Sequence, residues 1–268
     1  MIRIGILIHE NQNGFLRFSY LINELIKHWN SKGYKIYILK GANQRPQLDL
    51  LINHVDVTKL PPQYCELIQH YPNVINGKTL DISKRNISTQ LVSQHSDYQG
   101  PVIVKPNRNA RGLTDIAMSV PNGAVVLKGE LSRAKKNIVY RVFESLQSVP
   151  AAYFSNEELV IEKYLPEREG DMFYLRVCIL LGDKHISARV GSKSGVIKGV
   201  NVISREIVET PQALLDEMKR RGFDYGKVDY GIHQGEIIIY DTNRTPGHSS
   251  NNIQNATLLA DGIESFIH

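Results

Sequence analysis

Three oxygen-bearing side chains lie near the ends of two neighbouring strand-like segments, residues 227–232 and 236–241. The second segment is short, apolar and β-branched, which predicts a buried strand. Asp241 and Asn243 are two residues apart and share one face of an extended chain, and antiparallel pairing would bring Asp229 to that face. Two carboxylates and an amide oxygen suit Mg²⁺, with Mn²⁺ also possible. The alternative is that these residues end the strands because they favour turns.

Three basic residues occupy positions from which they could contact phosphate. Lys105 ends the apolar segment PVIVKP at 101–106, and Arg176 lies in a second strand-like segment. Lys84 is at the start of a predicted helix, where free backbone amides and a positive side chain both favour an anion. Taken singly, such residues are more often solvated surface charges, and Lys105 and Arg176 could also form cross-strand ion pairs.

The composition is that of an ordinary globular protein, with 268 residues of which 42% are hydrophobic and 22% charged. No apolar run approaches the roughly 20 residues of a membrane helix, so no membrane association is expected. The net charge is +5, but the basic clusters at 133–136 and 219–221 lack interleaved aromatic residues, so nucleic-acid binding is not expected. Two cysteines exclude a disulfide framework, which favours a cytoplasmic location. A homodimer is the commonest oligomeric expectation.

In the first 77 residues, the order of predicted strands and helices is that of a small parallel α/β domain. Residues 2–8 form a continuous apolar strand, and Phe18, Leu21, Ile22, Leu25 and Ile26 follow helical spacing. A second strand over 34–39 and a third within 48–57 complete a right-handed strand–helix–strand unit. A helix over 64–70 and a short strand within 73–76 are predicted to follow.

A second region, residues 78–268, alternates short strands with a few helices. Three helices are predicted, one over 83–93, one that Thr210 and Pro211 open and that ends at Gly222, and a closing one over 256–267. The strands are predicted at 101–105, 124–128, 159–164, 175–181, 186–190 and 200–203, before the hairpin that carries the acidic residues.

In their order along the chain, these segments resemble the ATP-grasp superfamily of nucleotide-dependent ligases. The matching phrases are DISKR at 81–85, PVIVKP at 101–106, VIEKYLP at 160–166, Gly170-Asp171, LRV at 175–177 and YDTNRTPG at 240–247. The resemblance implies an α/β (α+β) fold, in which the small parallel domain at 1–77 precedes an ATP-grasp domain with antiparallel sheets at 78–268. Three departures from the family are the single glycine in the loop at 107–112, an aspartate, Asp241, where glutamate is usual, and the spacing of only 21 positions between Lys84 and Lys105.

The resemblance also implies a site residue by residue. Lys84 and Lys105 match the lysines that hold nucleotide phosphates, and Arg176 matches an arginine beside the β- and γ-phosphates. The hinge strand that lines the adenine matches Glu162, Lys163, Tyr164 and Leu165. Asp171 matches an acidic position that reaches the ribose, with Glu169 as the alternative, and the metal ligands match Asp229, Asp241 and Asn243.

The reaction implied by the resemblance joins a carboxylate to an amine at the expense of ATP, through an acyl phosphate and with Mg²⁺. Lys105 and Arg176 would offset phosphate charge, and Arg244, which follows a predicted metal ligand, is a candidate for the substrate carboxylate. The expected partners are small carboxylate and amine substrates, such as amino acids or peptides. Two alternatives remain open: a phosphotransferase that uses the same nucleotide site, and a nucleotide-binding module without turnover.

Overall fold

The structure is a computed structural model that describes residues 1–12, 15, 20–120, 140–247 and 255–267. The strand predicted at 124–128, the basic cluster at 133–136 and Phe18 lie outside these residues. No helix within the described ranges is long and apolar enough to cross a bilayer.

The chain begins with a four-stranded parallel sheet whose strands β1 to β4 are Arg3–Ile8, Lys35–Lys40, Leu50–Asn53 and Val74–Ile75, in the order β2-β1-β3-β4. Helices α1 and α2 cover Leu21–Ser31 and Pro62–Gln69. Helix α1 packs its apolar stripe, which includes Leu25 and Trp29, into the core beside β1. The predicted small parallel α/β unit is therefore confirmed.

Two antiparallel sheets follow. The smaller sheet contains three strands in the order β6-β5-β7. Its strands and the helices between them are, in chain order, α3 (Lys84–Ile87), β5 (Val102–Pro106), α4 (Leu113–Ser119), β6 (Arg141–Phe143), α5 (Ala151–Phe154) and β7 (Leu159–Lys163). The larger sheet contains β8 (Glu167–Glu169), β9 (Met172–Leu181), β10 (Lys184–Ser192), β11 (Ser204–Val208), β12 (Tyr225–His233) and β13 (Glu236–Asn243). Its order is β11-β10-β9-β12-β13, with β8 paired to β9. Helix α6 (Gln212–Arg221) precedes β12, and α7 (Ala256–Asp261) is followed by a 3₁₀ helix over Gly262–Phe266. This arrangement confirms the predicted fold class.

Two predicted elements differ from the structure. The helix expected at 83–93 ends at Ile87, because Ser88 is extended and its hydroxyl accepts the N–H of Gln90, after which the chain pairs with β7 through Leu91 and Val92. The strand expected at 200–203 is a 3₁₀ turn over Gly199–Asn201, and the strand itself starts at Ser204.

The two predicted domains share one hydrophobic core. Side chains of β1 and α1 pack with Leu181, Tyr225 and Ile263 from the second region. Asn76 adds polar contacts across the same junction, since its side-chain oxygen accepts the N–H groups of Asp224 and Tyr225. The domain boundary at residue 77 stays a prediction, and the packing fixes the parallel sheet against the larger antiparallel one.

Arg244 fastens the end of β13 to the N-terminal sheet. Its side chain is 0% exposed, and its guanidinium donates to the carbonyls of Val55 at 3.1 Å, of Val57 at 2.6 Å and of Thr79. Burial lowers the pKa of the Arg244 guanidinium to about 10, although the charge of Asp56 opposes that shift. A buried guanidinium that satisfies three carbonyls joins chain segments that are distant in sequence.

Replacing Arg244 with leucine should therefore destabilise the fold strongly, because three buried carbonyls lose their donor and Asp56 loses a nearby cation. We expect urea unfolding to show a loss of about 3–5 kcal/mol, as for other broken buried charge contacts. The matched control Arg205→Leu, on the exposed edge strand β11, should stay within about 0.5 kcal/mol of wild type. A loss below about 1 kcal/mol for Arg244→Leu would contradict this role.

His54, at the end of β3, is enclosed by aromatic rings. It is 0% exposed and contacts the rings of Phe15, Tyr20 and Tyr225. Neither ring nitrogen has a hydrogen-bond partner in the described part of the chain. Burial, together with the charge of Arg244, lowers the pKa of His54 from 6.5 to about 3. The imidazole is therefore neutral in the folded protein and protonates in the unfolded chain below about pH 6.5.

His54 should make stability depend on pH on the acid side. Between its folded and unfolded pKa values the unfolded chain binds the extra proton, so stability falls as the pH falls below about 6.5, by about 2 kcal/mol at pH 5. Above that pH the contribution is constant. Urea unfolding of His54→Gln at pH 7 and pH 5 should lack this loss, whereas the exposed control His95→Gln should keep it. Equal pH dependence in both variants would contradict the assignment.

Candidate functional site

A cleft lies between the β6-β5-β7 sheet and the larger sheet. It contains about 870 Å³ of empty space, including the part open to solvent. Eight of the residues predicted from sequence line it: Lys84, Lys105, Glu162, Lys163, Tyr164, Leu165, Asp229 and Asp241. The rest of the lining is Ile103, Tyr140, Pro166, Phe173, Tyr174, Leu175, Gly195, Val196, Ile197, Lys198 and Tyr240.

Lys105 and Glu162 form a buried ion pair in this cleft. The Lys105 ammonium lies 2.7 Å from Glu162 Oε2, and the two side chains are 4% and 3% exposed. Burial raises the pKa of the Glu162 carboxyl, and the charge of Lys105 opposes that rise. The other oxygen, Glu162 Oε1, is buried and has no hydrogen-bond partner within the described part of the chain. Sequence reasoning placed Glu162 on the adenine hinge through its backbone, whereas its side chain faces the charged end of the cleft.

A β-bulge at Tyr240 completes the surroundings of Lys105. Asp229 pairs with Asp241 across the β12–β13 hairpin but Tyr230 pairs with Ile239, so Tyr240 is an extra residue in β13. The Tyr240 carbonyl accepts a hydrogen bond from the Lys105 ammonium at 2.9 Å. The bulge also lets Tyr240 and its neighbour Asp241 both face the cleft, which regular strand alternation would not allow.

Asp229 and Asp241 lie opposite each other on adjacent strands, as the sequence predicted. Each carboxylate has a lysine partner: Lys227 lies 2.8 Å from Asp229 Oδ2, and Lys84 lies 3.1 Å from Asp241 Oδ1. Burial raises the pKa of the Asp229 carboxyl, as does the charge of Asp241, while Lys227 lowers it. Asp229 Oδ1 is buried and has no hydrogen-bond partner among the described residues, so one oxygen of this pair is available to a cation.

The third predicted metal ligand, Asn243, shares this face by register but does not line the cleft. Its side-chain oxygen accepts the N–H of Thr245 at 2.9 Å and the hydroxyl of the same residue at 3.1 Å. Among the described residues, no group of three acidic, histidine or cysteine side chains could hold a metal by itself. Two carboxylates with a free buried oxygen nevertheless fit Mg²⁺, which completes its octahedron with waters and substrate phosphates.

The other end of the cleft is largely apolar. Tyr164, Leu165 and Phe173 face Val196 and Ile197 from the segment that follows β10. The Tyr164 hydroxyl donates to the Gly195 carbonyl at 2.9 Å, which ties that segment to the hinge. A Cβ at Gly195 would lie 2.1 Å from this hydroxyl, so only glycine fits the contact. A mainly apolar slot with a few charged groups beside it is typical of a small-molecule site.

The structure places Arg176 and Asp171 elsewhere. In the β9–β12 ladder Asp229 pairs with Val177 and Tyr230 pairs with Arg176, so Arg176 faces the opposite side of the sheet from Asp229. There the Arg176 guanidinium donates to both oxygens of Glu167, at 2.8 Å and 3.0 Å. Asp171 is exposed in the turn between β8 and β9.

Two further predicted elements lie outside the cleft lining. Arg244 is buried against backbone carbonyls, as described above. The loop at 107–112 packs against the N-terminal region, where the Asn109 N–H donates to the Thr58 hydroxyl at 3.0 Å. Within this loop Ala110, Arg111 and Gly112 all have positive φ angles, of 46°, 60° and 72°, a strained run for two residues that are not glycine.

Sequence reasoning missed three polar side chains at the cleft. Tyr140 and Tyr240 line it, and Lys227 lies beside it through its contact with Asp229. Burial raises the pKa of the Tyr140 hydroxyl, as do the charges of Asp241 and Asp229. Of these residues, Lys227 could have been predicted from the sequence, because it is two residues before Asp229 and therefore shares its face of the strand.

The arrangement combines cations, paired carboxylates and an apolar slot within one cleft. Lys84 and Lys105 can neutralise an anionic ligand, and Asp229 with Asp241 can hold a divalent cation that bridges to the same anion. None of these groups is an activated nucleophile, so the site is suited to positioning charged reactants.

No protein-family model and no curated protein matches this sequence. Solved structures match its fold over nearly the whole chain. The VanG D-Ala:D-Ser ligase from Enterococcus faecalis has a TM-score of 0.57 at 13% identity, covering 99% of both chains. An ATP-grasp RimK domain protein from Sphaerobacter thermophilus has a TM-score of 0.53 at 11% identity, covering 98% of this chain and 99% of that one.

A third structure is the RiPP-associated ATP-grasp ligase from Chryseobacterium gregarium, solved with ADP and a leader and core peptide. It has a TM-score of 0.53 at 10% identity and covers 97% of this chain and 96% of that one. At such identities the likeness concerns the fold alone. It agrees with the parallel N-terminal sheet, the two antiparallel sheets and the cleft between them, and the chain therefore has the ATP-grasp fold over essentially its whole length.

Proposed function

We propose that this chain is an ATP- and Mg²⁺-dependent ligase that joins a carboxylate to an amine through an acyl phosphate, acting on amino acids or peptides. The observation that carries the proposal is the convergence of Lys84, Lys105, Asp229 and Asp241 on one cleft with an apolar slot at its other end. The structural neighbours support it, because one is a D-Ala:D-Ser ligase and another is an ATP-grasp ligase solved with ADP and a peptide.

The nucleotide would lie along the cleft. Its adenine would enter the apolar slot beside Lys163, Tyr164 and Leu165, and its phosphates would reach Lys84 and Lys105. Both ammonium groups are nearly removed from water, at 2% and 4% side-chain exposure, so their attraction to phosphate would be little screened by solvent.

Asp229 and Asp241 would hold Mg²⁺ at the phosphate end. The metal, when bound, would neutralise charge on the β- and γ-phosphates. Asn243 is engaged by Thr245 and would support the turn after β13 instead of binding the metal.

In the first chemical step, a carboxylate oxygen of the substrate would attack the γ-phosphorus, and ADP would leave. In the second step, the amine nitrogen would attack the acyl carbon, lose a proton and displace inorganic phosphate, leaving an amide. The chain would position these groups and offset their charge. Lys227, whose side chain is 34% exposed beside Asp229, is better placed than the buried Arg244 to meet the substrate carboxylate.

Hydroxylamine trapping tests this reaction class. The protein would be incubated with ATP, Mg²⁺, hydroxylamine and a panel of amino acids and short peptides, and hydroxamate and released phosphate would be measured. A ligase gives both products with its acid substrate. A stable phosphorylated product without hydroxamate would indicate the phosphotransferase alternative, and binding of ATP without turnover across the panel would favour a non-catalytic module.

Replacing Lys105 with methionine should weaken ATP binding about 10- to 100-fold, the usual effect of losing a charge-assisted contact. Isothermal titration with a non-hydrolysable ATP analogue and Mg²⁺ measures it. The control is Lys193→Met, on an exposed residue outside the cleft lining, which should bind as wild type does. Unchanged affinity in Lys105→Met would move the phosphate site elsewhere.

Alanine variants of two predicted metal ligands, Asp241 and Asn243, should behave differently in the same binding assay. Asp241→Ala should abolish the Mg²⁺ dependence of nucleotide binding, because the carboxylate pair is lost. Asn243→Ala should keep that dependence and lower only the unfolding free energy, by about 1 kcal/mol for the lost turn contacts. Loss of the Mg²⁺ dependence in both variants would restore Asn243 as a ligand.

A further inference from the structure

Each carboxylate that the structure describes in the cleft is paired with a lysine. The contacts are Lys84 with Asp241 at 3.1 Å, Lys227 with Asp229 at 2.8 Å and Lys105 with Glu162 at 2.7 Å. Three ammonium groups thus balance three carboxylates. Two of these lysines neutralise the two carboxylates that would hold the metal, and the third does not.

Lys84 has little freedom to leave Asp241 unless it gains another anion. Its side chain is 2% exposed, and an ammonium removed from water needs a negative partner. A divalent cation on Asp241 would lie close to this ammonium and would be repelled by it. The same conflict holds at Asp229, where Lys227 contacts Oδ2 and Oδ1 is the oxygen that has no partner in the ranges the structure describes.

Resting on the proposed function, we infer that Lys84 and Lys227 act as built-in counter-ions that exclude the metal from the empty cleft. The phosphates of the nucleotide supply the anion that Lys84 needs in order to release Asp241, and a substrate carboxylate can do the same for Lys227. The metal then takes the place that the ammonium groups leave. Metal binding is thereby made conditional on the nucleotide, and an empty cleft does not retain a divalent cation.

Lys105 provides a matched control within the same site. It is as deeply buried as Lys84 and also contacts a carboxylate, but its partner Glu162 is not one of the opposed pair on β12 and β13. Removing Lys105 should weaken nucleotide binding without releasing either carboxylate of the Asp229–Asp241 pair. A comparison of the three lysine variants therefore distinguishes the effect of losing a positive charge in the cleft from the effect of releasing a particular carboxylate.

The test is titration with Mn²⁺ in the absence of nucleotide, with free Mn²⁺ followed by electron paramagnetic resonance. Wild type should bind the ion weakly. Lys84→Met and Lys227→Met should each bind it about 10- to 100-fold more tightly, the range for removing one charged competitor. Lys105→Met should bind it as wild type does, and circular dichroism would check that each variant is folded.

Two outcomes would overturn the inference: affinities of Lys84→Met and Lys227→Met equal to wild type, or an equal gain in Lys105→Met. Lys227→Met decides the matter if Lys84→Met does not fold, since the Lys227 side chain is 34% exposed and its loss costs the fold less. A parallel titration of wild type with ATP and Mn²⁺ together keeps the proposed function separate. Absence of binding there would count against the nucleotide site, whatever the lysine variants show.

Discussion

The site depends on one electrostatic constraint: a lysine ammonium removed from water must always have a negative partner. Lys105 meets this constraint with the Glu162 carboxylate and with the Tyr240 carbonyl, which the bulge in β13 places within hydrogen-bond distance. The contact with Tyr240 joins the two antiparallel sheets on either side of the cleft, whereas Glu162 lies on β7 of the same sheet as Lys105. The Lys105 ammonium therefore helps to fix the relative position of the cleft walls.

Strand alternation decides which charged residues share the cleft. Asp229 and Arg176 lie on neighbouring strands, yet they face opposite sides of the sheet because Asp229 pairs with Val177. Behind the sheet, Glu167 accepts hydrogen bonds from Arg176 and Arg189, and the Arg189 guanidinium lies over the ring of Tyr174 at 3.4 Å. These arginines therefore support a wall of the cleft from outside it.

Much of this architecture was accessible from the sequence, because periodic apolar segments predicted the parallel unit, the hairpin of β12 and β13 and most strand positions. The opposed pair Asp229 and Asp241 followed from strand spacing alone. Arg244 was not predictable in this way: a guanidinium after a strand of polar ligands suggests a substrate contact, and only the fold brings the carbonyls of Val55, Val57 and Thr79 around it. Burial that depends on distant segments leaves no local pattern.

The same reason explains the other differences. The hydroxyl of Ser88 competes with helix hydrogen bonding and ends α3 early, although the apolar spacing beyond it still looks helical. The bulge at Tyr240 has no clear signature in the sequence of β13, and yet it lets two adjacent residues, Tyr240 and Asp241, both face the cleft. Sequence patterns identified the charged residues, and the sheet register assigned them to their faces.

The central claim is that one cleft holds a nucleotide and a metal together. A crystal structure of the chain with a non-hydrolysable ATP analogue and Mg²⁺ tests it most directly. The account predicts a triphosphate between Lys84 and Lys105, an adenine beside Tyr164 and Leu165, and a metal on Asp229 and Asp241. A nucleotide bound elsewhere, or one bound here with all three lysine–carboxylate pairs intact, would contradict it.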